Sequence, residues 1–373
     1  MRELTPTWRT AILLLARIIA GAAFYVHLQD AFIHSIVVRM VFMRARLVHL
    51  AVPLALAGSL AAGYAAPRSH TTAASKTVTF VTDIGGLNDN GFNHLGYIGT
   101  KNGARVAGYN AKYIETTSSS DYVKNITTAA RNSQFVAAVG YSFEPAMMTV
   151  PKKYPNVQFT IIDSSVHAQN VLANVFMPNQ SSYLAGILAA GVSKTHKIGF
   201  VGGVQGPVID AFLAGFQAGA KSYDSQIKVY SAYTGSFTDA GAGKNTATSE
   251  INSGADVIFA AAGGSGLGSL AAASQRHLLS IGVDADQHYL YPNSVVSSVV
   301  KHVETAVADA IVKSSRGTFK GGVVTWDLKN GGVGLAPYYN LSSRVSSTVR
   351  AAIAKARAGI VRGDINVPIT PTK

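Results

Sequence analysis

The sequence has 373 residues, of which 48% are hydrophobic and 14% are charged, so it is long enough for two ordinary domains with buried cores. Its formal net charge is +13, but the lysines and arginines are scattered singly and form no basic stripe with interleaved aromatic residues. Nucleic-acid binding requires such clustering, so we expect no nucleic-acid partner. The lack of cysteine excludes disulfides, thiolate nucleophiles and zinc sites with cysteine ligands.

Residues 1–65 have the features of a leader for export. Arg44 and Arg46 form a basic segment, and residues 47–60 form a largely apolar core. Residues 63–65, Gly-Tyr-Ala, have the small-x-small pattern of a cleavage site. This layout predicts a secretory signal peptide that is removed after Ala65.

Two further features concern the start and the fate of this leader. We expect translation to start at Met40 or Met43, while the apolar stretch at 11–28 leaves a retained N-terminal anchor as the alternative. Residues 56–59 resemble a lipoprotein box in which Ser59 replaces the acylated cysteine. The sequence therefore predicts an exported protein, periplasmic or extracytoplasmic, that is soluble rather than lipid-anchored.

Strand and helix patterns alternate from residue 76 onward. The predicted strands are 78–82, 112–116, 135–140, 157–162, 171–177, 197–201, 227–233, 257–262, 279–283, 295–299 and 323–328. The predicted helices are 91–109, 122–132, 145–153, 181–192, 208–223, 242–253, 267–276, 303–315 and 346–361. This alternation predicts right-handed βαβ units with parallel sheets, and two such arrays in series predict two lobes.

The two arrays suggest how the chain divides. Residues 66–75 are expected to form a flexible mature N-terminus, 76–178 plus 285–320 lobe 1, and 179–284 plus 321–373 lobe 2. Segments that follow the second array are expected to cross back between the lobes and to form a hinge of several strands.

Polar or small residues recur at the predicted carboxyl ends of strands, which is where an open α/β sheet binds its ligands. Asp83, Asp163 and Asp284 each follow an apolar strand, and so do Tyr141 and Gly263. We expect the three carboxylates to converge on one cleft, where they would accept hydrogen bonds from hydroxyl groups. For any single aspartate, a turn or a helix cap is the alternative.

Four more candidates lie near helix starts or strand ends. Phe92 and Phe212 are expected to sandwich a planar or apolar ligand face, with a place in the core as the alternative. Asn93 follows Phe92 in the first turn of its helix. Lys301 is expected to balance Asp284 and to donate to a hydroxyl, with a solvated charge as the alternative.

The run D-x-G-G-x-x-D-x-x-F-N at 83–93 resembles the signature of the basic membrane protein family of ABC-transporter solute receptors, which includes purine-nucleoside receptors. The resemblance continues in order through YPNVQFTIID (154–163), NQSSYLAGILAA (179–190), KIGFVGG (197–203), AFLAGFQAGA (211–220), IFAAAGGSGLG (258–268), IGVDADQ (281–287) and SVVSSVVKHVETAV (294–307). It covers nearly all of 76–341 and implies the α/β fold of a type I periplasmic binding protein, in which three crossovers join two lobes.

The resemblance also implies roles around a nucleobase. Asp83 and Asn93 would face the edge of the base, while Phe92 and Phe212 would stack on its two faces.

On the sugar side, the resemblance implies that Asp163, Asp284 and Lys301 hold ribose hydroxyls. The region of Gly263 would let the backbone approach the ligand closely. Residues 141–142, Tyr-Ser, stand where the resemblance predicts a glycine and an aromatic residue, so Tyr141 is expected to give this part of the pocket a different shape.

The function implied is that of an exported receptor of an ABC importer, which binds a nucleoside, expected to be a purine, and delivers it to the permease. A receptor for another small solute such as a sugar is the alternative. The expected partners are the ligand and the permease, with membrane contact only through the leader or the permease. We expect a monomer that needs no cofactor and no metal and is not an enzyme.

Other functions fit the sequence less well. Residues 264–268 and Asp284 resemble a dinucleotide-binding fingerprint, but they match its glycine spacing only loosely, which makes an NAD-dependent enzyme a poor alternative. A sugar-responsive repressor would need a helix-turn-helix head, whereas the first 70 residues are apolar. A hydrolase is a poor alternative because the sequence contains no G-x-S-x-G elbow, and its histidines do not have the spacing of metal ligands.

Overall fold

The computed structural model of the chain describes residues 76–372, so the predicted leader and most of the predicted flexible N-terminus lie outside the described residues. The strands are β1 (Thr77–Val81), β2 (Asn110–Ile114), β3 (Phe135–Val139), β4 (Gln158–Ile162), β5 (Val171–Phe176), β6 (Lys197–Gly202), β7 (Lys228–Tyr233), β8 (Val257–Ala261), β9 (Leu279–Asp284), β10 (Val295–Lys301), β11 (Gly322–Trp326) and β12 (Val333–Leu335). The α-helices are α1 (Phe92–Ala107), α2 (Tyr122–Asn132), α3 (Glu144–Lys153), α4 (Pro178–Val192), α5 (Pro207–Tyr223), α6 (Ala240–Asn252), α7 (Gly263–Gln275), α8 (Val303–Ser315) and α9 (Ser347–Arg362). Within this part of the chain, no helix combines the length and the apolar composition that crossing a membrane requires.

Local sequence explains where these elements form and end. The central strands β3 (FVAAV) and β8 (VIFAA) are buried along their whole length, because helices cover both faces of a parallel sheet. At the start of α9, Ser346 accepts a hydrogen bond from the backbone N–H of Val349, and Gly363 ends the helix in the left-handed conformation. Residues 346 and 363 thus mark the two ends of α9.

The described residues form two sheets with the same arrangement of strands. The first sheet has the order β11-β5-β4-β3-β1-β2, and all of its pairs are parallel. The second has the order β12-β10-β9-β8-β6-β7 and is parallel except for the β10–β12 pair. The predicted α/β fold with two lobes is therefore confirmed.

The chain passes between the sheets three times: from β5 into α4, from β10 into α8, and from β11 into β12. After the first passage α4 packs against α5, and after the second α8 packs against α1. The three crossovers implied by the family resemblance are present.

The sheets do not follow the predicted domain bounds. β10, which falls in the predicted lobe 1, pairs with β9 of the second sheet, and β11, from the predicted lobe 2, pairs with β5 of the first sheet. The last two crossings therefore follow residues 301 and 326 rather than 284 and 320. An apolar pattern identifies a strand but not its sheet, because the edges of both sheets offer free backbone groups.

The glycine-rich run 264–268 is helical and does not form the turn of a dinucleotide-binding fingerprint. α7 begins at Gly263, ahead of the predicted start at residue 267, and contains the whole run. A Cβ at Gly268 would lie only 1.8 Å from the carbonyl oxygen of Ala240, at the start of α6. Glycine is needed there because the two helices pack in direct contact.

We expect Gly268→Ala to lower the free energy of unfolding by about 1–3 kcal/mol, because the added methyl group forces the packed helices apart. Gly266 lies on the same helix, but a Cβ there meets atoms no closer than 3.5 Å. Gly266→Ala should therefore leave stability unchanged or raise it by up to about 1 kcal/mol. Urea unfolding of both variants measures the difference, and equal stabilities would contradict the packing role of Gly268.

Candidate ligand-binding site

A cavity at the carboxyl ends of the central strands is lined by every residue that the sequence predicts to bind the ligand. These residues are Asp83, Phe92, Asn93, Tyr141, Asp163, Phe212, Gly263, Asp284 and Lys301. Asp83 and Asp163 follow strands of the first sheet, whereas Gly263 and Asp284 lie at strand ends of the second. Both lobes therefore build the cavity, as expected for a cleft that closes on a ligand.

The cavity has further lining residues that the sequence reasoning did not select. They are Gly85, Asp89, Gly140, Ser142, Val208, Ile209, Phe237, Ala261 and Val283. Phe237 lies in the loop after β7, so the strand-end pattern already contained a signal for it. Gly140, with φ 111°, directly precedes Tyr141, so a glycine and an aromatic residue both line this part of the pocket.

Asn93 holds two carboxylates in a fixed arrangement. Its Nδ2 donates to Asp83 Oδ1 at 2.7 Å and to Asp89 Oδ2 at 3.1 Å, and its Oδ1 accepts from the backbone N–H of Asp83 at 3.0 Å. Asp83 Oδ1 also accepts from the backbone N–H of Gly85 at 2.8 Å. Both Nδ2 hydrogens of Asn93 are thus used within the protein, and among the described residues no group donates to Asp83 Oδ2.

Asp89 explains how α1 begins at the cavity wall. Its Oδ1 accepts from the backbone N–H groups of Gly91 (3.0 Å) and His94 (3.1 Å), and its Oδ2 accepts from that of Asn93 (2.7 Å). These N–H groups belong to the first turn, where a helix lacks internal partners, and a negative charge is favourable there. The buried carboxylate thereby fixes Phe92, the first residue of the helix, at the cavity.

The pKa of Asp83 is raised to about 6, chiefly because its carboxylate is removed from bulk water. The hydrogen bonds from Asn93 and Gly85 oppose this rise, while the nearby charges of Asp89 and Asp163 add to it. At neutral pH the carboxyl group is therefore mostly ionised and can accept a hydrogen bond through Oδ2.

Asp163 and Asp284 occupy equivalent positions in the two sheets. Asp163 directly follows β4, which lies beside β3, and Asp284 ends β9, which lies beside β8. Their φ angles are 63° and 62°, a left-handed conformation that few residues other than glycine adopt. Such strained backbone at matching strand ends is typical of functional sites.

Lys301 binds the carboxylate of Asp163 more closely than that of Asp284. Its Nζ donates to Asp163 Oδ2 at 2.6 Å and lies 3.9 Å from Asp284 Oδ1. The prediction that Lys301 balances Asp284 therefore misses the closer partner, which comes from the opposite sheet. Sequence spacing could not show this pairing, because it depends on how the two sheets face each other across the cleft.

One oxygen of Asp284, Oδ1, is buried without a hydrogen-bond donor among the described residues. Burial raises the pKa of Asp284 to about 7, and the neighbouring carboxylates add to the rise, while the charge of Lys301 opposes it. A buried acceptor without a donor costs about 1–3 kcal/mol, which a ligand hydroxyl would remove. Although four carboxylates line the cavity, the described residues contain no cluster arranged to hold a metal ion.

The Lys301 ammonium lies over three aromatic rings. Its Nζ is 4.6 Å from the ring centroid of Phe92, 5.2 Å from that of Phe176 and 5.9 Å from that of Phe212. These distances are typical of cation–π contacts. The rings of Phe92 and Phe212 therefore both face the centre of the cavity, where a ligand between them would contact Lys301.

The cleft is nearly closed. Its remaining free volume is about 60 Å³, far below the roughly 300–1,000 Å³ of usual small-molecule sites. Asn90 of the first lobe accepts hydrogen bonds from two residues of the second, Gln287 Nε2 at 3.1 Å and Tyr289 Oη at 3.0 Å. Together with the Lys301–Asp163 pair, these two contacts hold the lobes closed over the cleft.

Asp284 makes stability depend on pH. Because its pKa is higher in the folded than in the unfolded chain, the folded state binds the proton more tightly, and stability falls as the pH rises from about 4 to about 7. We expect Asp284→Asn to abolish this loss. The substitution should therefore change the free energy of unfolding more favourably at about pH 8 than at about pH 4, by up to about 4 kcal/mol. Urea unfolding of both proteins across this pH range measures the difference.

The matched control is Asp309→Asn, at a half-exposed carboxylate paired with Lys313 on α8. It should leave the pH dependence of unfolding close to that of the unchanged protein. If Asp284→Asn also kept that dependence, the buried carboxylate would not be its source.

Comparison with known proteins places the chain among transport receptors. Residues 76–370 match the family model described as ABC transporter substrate-binding protein PnrA-like. The ABC transporter nucleoside-binding protein BmpA of Lactococcus lactis is 37% identical over 345 residues, covering 85% of this chain and 97% of that protein. The CD4+ T-cell-stimulating antigen of Listeria monocytogenes is 36% identical over 324 residues, covering 79% of this chain and 88% of the antigen.

A solved structure has the same fold. The crystal structure of an ABC transporter solute-binding protein from Aeropyrum pernix K1 matches with a TM-score of 0.74 and 24% identity, over 80% of this chain and 94% of that one. The family match extends over nearly all of the described residues, and the sheets, the three crossovers and the cleft agree with it. The chain thus belongs to the PnrA-like family of ABC transporter substrate-binding proteins.

Proposed function

We propose that this receptor binds a nucleoside, with purine nucleosides as its preferred class, and delivers it to the permease of an ABC importer. The observation that carries the proposal is the composition of one cavity, which combines two aromatic faces, an acidic edge and a cluster of aspartates around a lysine. A nucleoside offers a planar ring, N–H donors and vicinal hydroxyls, and so matches all three. The name of the Lactococcus relative, a nucleoside-binding protein, supports the same class.

The base would occupy the side of the cavity that contains Asp83. Asp83 Oδ2, which has no donor within the described residues, would accept a hydrogen bond from an N–H group on the edge of the base. Phe92 and Phe212 would stack on its faces, as flat aromatic rings do with any base. In this arrangement Asn93 is a positioning residue, because its own donors hold Asp83 and Asp89.

The ribose would occupy the side that contains Asp163, Asp284 and Lys301. A ribose hydroxyl would donate to the buried Oδ1 of Asp284, which otherwise lacks a donor, while Lys301 would donate to a hydroxyl oxygen. Hydrogen bonds to charged groups are stronger than those between neutral ones, so this cluster would contribute much of the affinity.

Binding would be coupled to closure of the lobes. Phe92 and Asp83 belong to the first lobe, and Phe212, Asp284 and Lys301 to the second, so a ligand contacts both only when the cleft is closed. Such a ligand shifts the population toward the closed state, with the three crossovers as the hinge. The permease would recognise this closed form.

The location of the protein follows from its role as an importer receptor. We propose that it works outside the cytoplasm, after residues 1–65 have directed export, and that the lack of a lipobox cysteine leaves it soluble. It would act as a monomer and would contact the membrane through the permease.

A thermal-shift screen of the purified protein tests the ligand class. At about 100 times its dissociation constant, a ligand should stabilise the folded state by about 2.7 kcal/mol. We expect inosine, guanosine and adenosine to raise the melting temperature, and ribose, hexoses, free bases and NAD to leave it unchanged. A shift with a sugar and none with any nucleoside would keep the transport role and reject the proposed ligand.

Single substitutions test the two halves of the pocket. We expect Phe92→Ala to lose stacking on the base and Asp284→Ala to lose a ribose contact, each at a cost of about 1–3 kcal/mol in binding free energy. Titration calorimetry with inosine measures the loss. Tyr113→Ala, at an exposed side chain, and Asp309→Ala, at a half-exposed one, lie outside the cavity; they are the controls and should bind as the unchanged protein does. Full affinity in both cavity variants would refute the residue assignment.

A further inference from the structure

We propose that the cleft continues into an apolar vestibule, and that the protein therefore also binds nucleosides that carry an apolar group on the exocyclic amine of the base. This inference rests on the proposed nucleoside function, and it extends the range of ligands beyond the common nucleosides. It is carried by a second cavity that adjoins the first at its base side.

The vestibule is a space of about 390 Å³ that opens to solvent beside the cleft. Its own lining comes from both lobes and is apolar apart from Ser119; the other residues are Ile84, Tyr122, Val123, Pro145, Ala146 and Val204. The ring of Tyr122 packs on that of Phe143, with 4.4 Å between the centroids, so this wall is fixed in place. Such a surface suits an aliphatic or aromatic substituent rather than a charged one.

The junction between the two cavities determines which end of the ligand faces the vestibule. Asp83, Tyr141, Ser142 and Phe237 line both spaces, whereas Asp284 and Lys301 line only the cleft. The proposed base edge therefore points to the vestibule, and the proposed ribose points away from it. A group attached to the base would enter the vestibule, and a group attached to the ribose would meet the closed end.

The chemistry at the junction permits such a substituent. An exocyclic amine that carries one alkyl or aryl group keeps one N–H, which is enough to donate to Asp83 Oδ2. Tyr141, from the first lobe, and Phe237, from the second, line both spaces, so their rings would offer apolar contact to the attached group.

Closure of the lobes does not remove the vestibule. In the present closed arrangement the cleft keeps only about 60 Å³ of free volume, while the vestibule beside it keeps about 390 Å³. A base substituent placed there would not hold the lobes apart. The protein could then bind a substituted nucleoside in the same closed form that it adopts with an unsubstituted one.

Titration calorimetry of the purified protein with three probes tests the inference. They are adenosine, adenosine with a benzyl group on its exocyclic amine, and adenosine with a methylthio group in place of the primary ribose hydroxyl. We expect the benzyl derivative to bind within about tenfold of adenosine or more tightly, and the methylthio derivative to bind more than about tenfold more weakly.

A variant that fills the vestibule separates this site from the cleft. Val123→Trp adds a large side chain at a position on α2 that is 49% exposed, and it should weaken the benzyl derivative by about tenfold or more while leaving adenosine unchanged. Val106→Trp, on α1 and outside both cavities, is the matched control at a 62% exposed valine and should change neither affinity.

The outcomes distinguish the inference from the function on which it rests. If adenosine binds but the benzyl derivative binds more than about tenfold more weakly, the vestibule proposal is wrong and the nucleoside function stands. Tolerance of the methylthio group with rejection of the benzyl group would place the ribose at the vestibule and likewise overturn it. Equal weakening of adenosine and its benzyl derivative by Val123→Trp would also contradict it. If inosine binds but adenosine does not, the cleft rejects the exocyclic amine, so the vestibule proposal is wrong and the nucleoside function stands. If neither nucleoside binds, the proposed function fails and the vestibule proposal falls with it.

Discussion

The arrangement of the cleft depends on one buried ion pair between the two lobes. Lys301 Nζ lies 2.6 Å from Asp163 Oδ2, and only 2% of the lysine side chain is exposed. Removing Lys301 would leave Asp163 as an uncompensated buried charge, which typically costs about 3–5 kcal/mol. Because Lys301 is the last residue of β10, directly before the second crossing, the same pair connects the hinge to the cavity.

Around this ion pair the cavity carries more acceptors than donors. Among the residues that line the cavity, Asp83, Asp89, Asp163 and Asp284 accompany a single ammonium group. The pKa values of Asp83 and Asp284 are raised chiefly by burial, and the charges of neighbouring carboxylates add to the rise. Asp89 is satisfied by the helix it caps, and Asp163 by Lys301. Asp83 Oδ2 and Asp284 Oδ1 remain without donors among the described residues, so the cleft is suited to a ligand rich in N–H and O–H groups.

Much of this site could be predicted from the sequence, because the carboxyl ends of parallel strands gather at one edge of a sheet whatever the details of packing. That rule placed Asp83, Asp163 and Asp284 in one cleft, and the structure brings them together there. The same rule applies to Phe237, which lies in the loop after the carboxyl end of β7.

Other features could not be predicted because they depend on tertiary packing. The pairing of Lys301 with Asp163 requires the two sheets to face each other, which no spacing along the chain reports. The glycine-rich run 264–268 has the composition of a turn, but its glycines are needed for the contact of α7 with α6. For the same reason, the strand pattern identified β10 and β11 but assigned each to the wrong lobe.

The central claim is that the Asp284 and Lys301 groups bind the secondary hydroxyls of a ribose. The most direct test is a calorimetric titration with inosine and with the inosine analogue that lacks both of these hydroxyls. We predict that inosine binds and that the analogue binds about a hundredfold more weakly, because the analogue leaves a buried carboxylate without a donor. Equal affinities for the two compounds would contradict this account of the cleft.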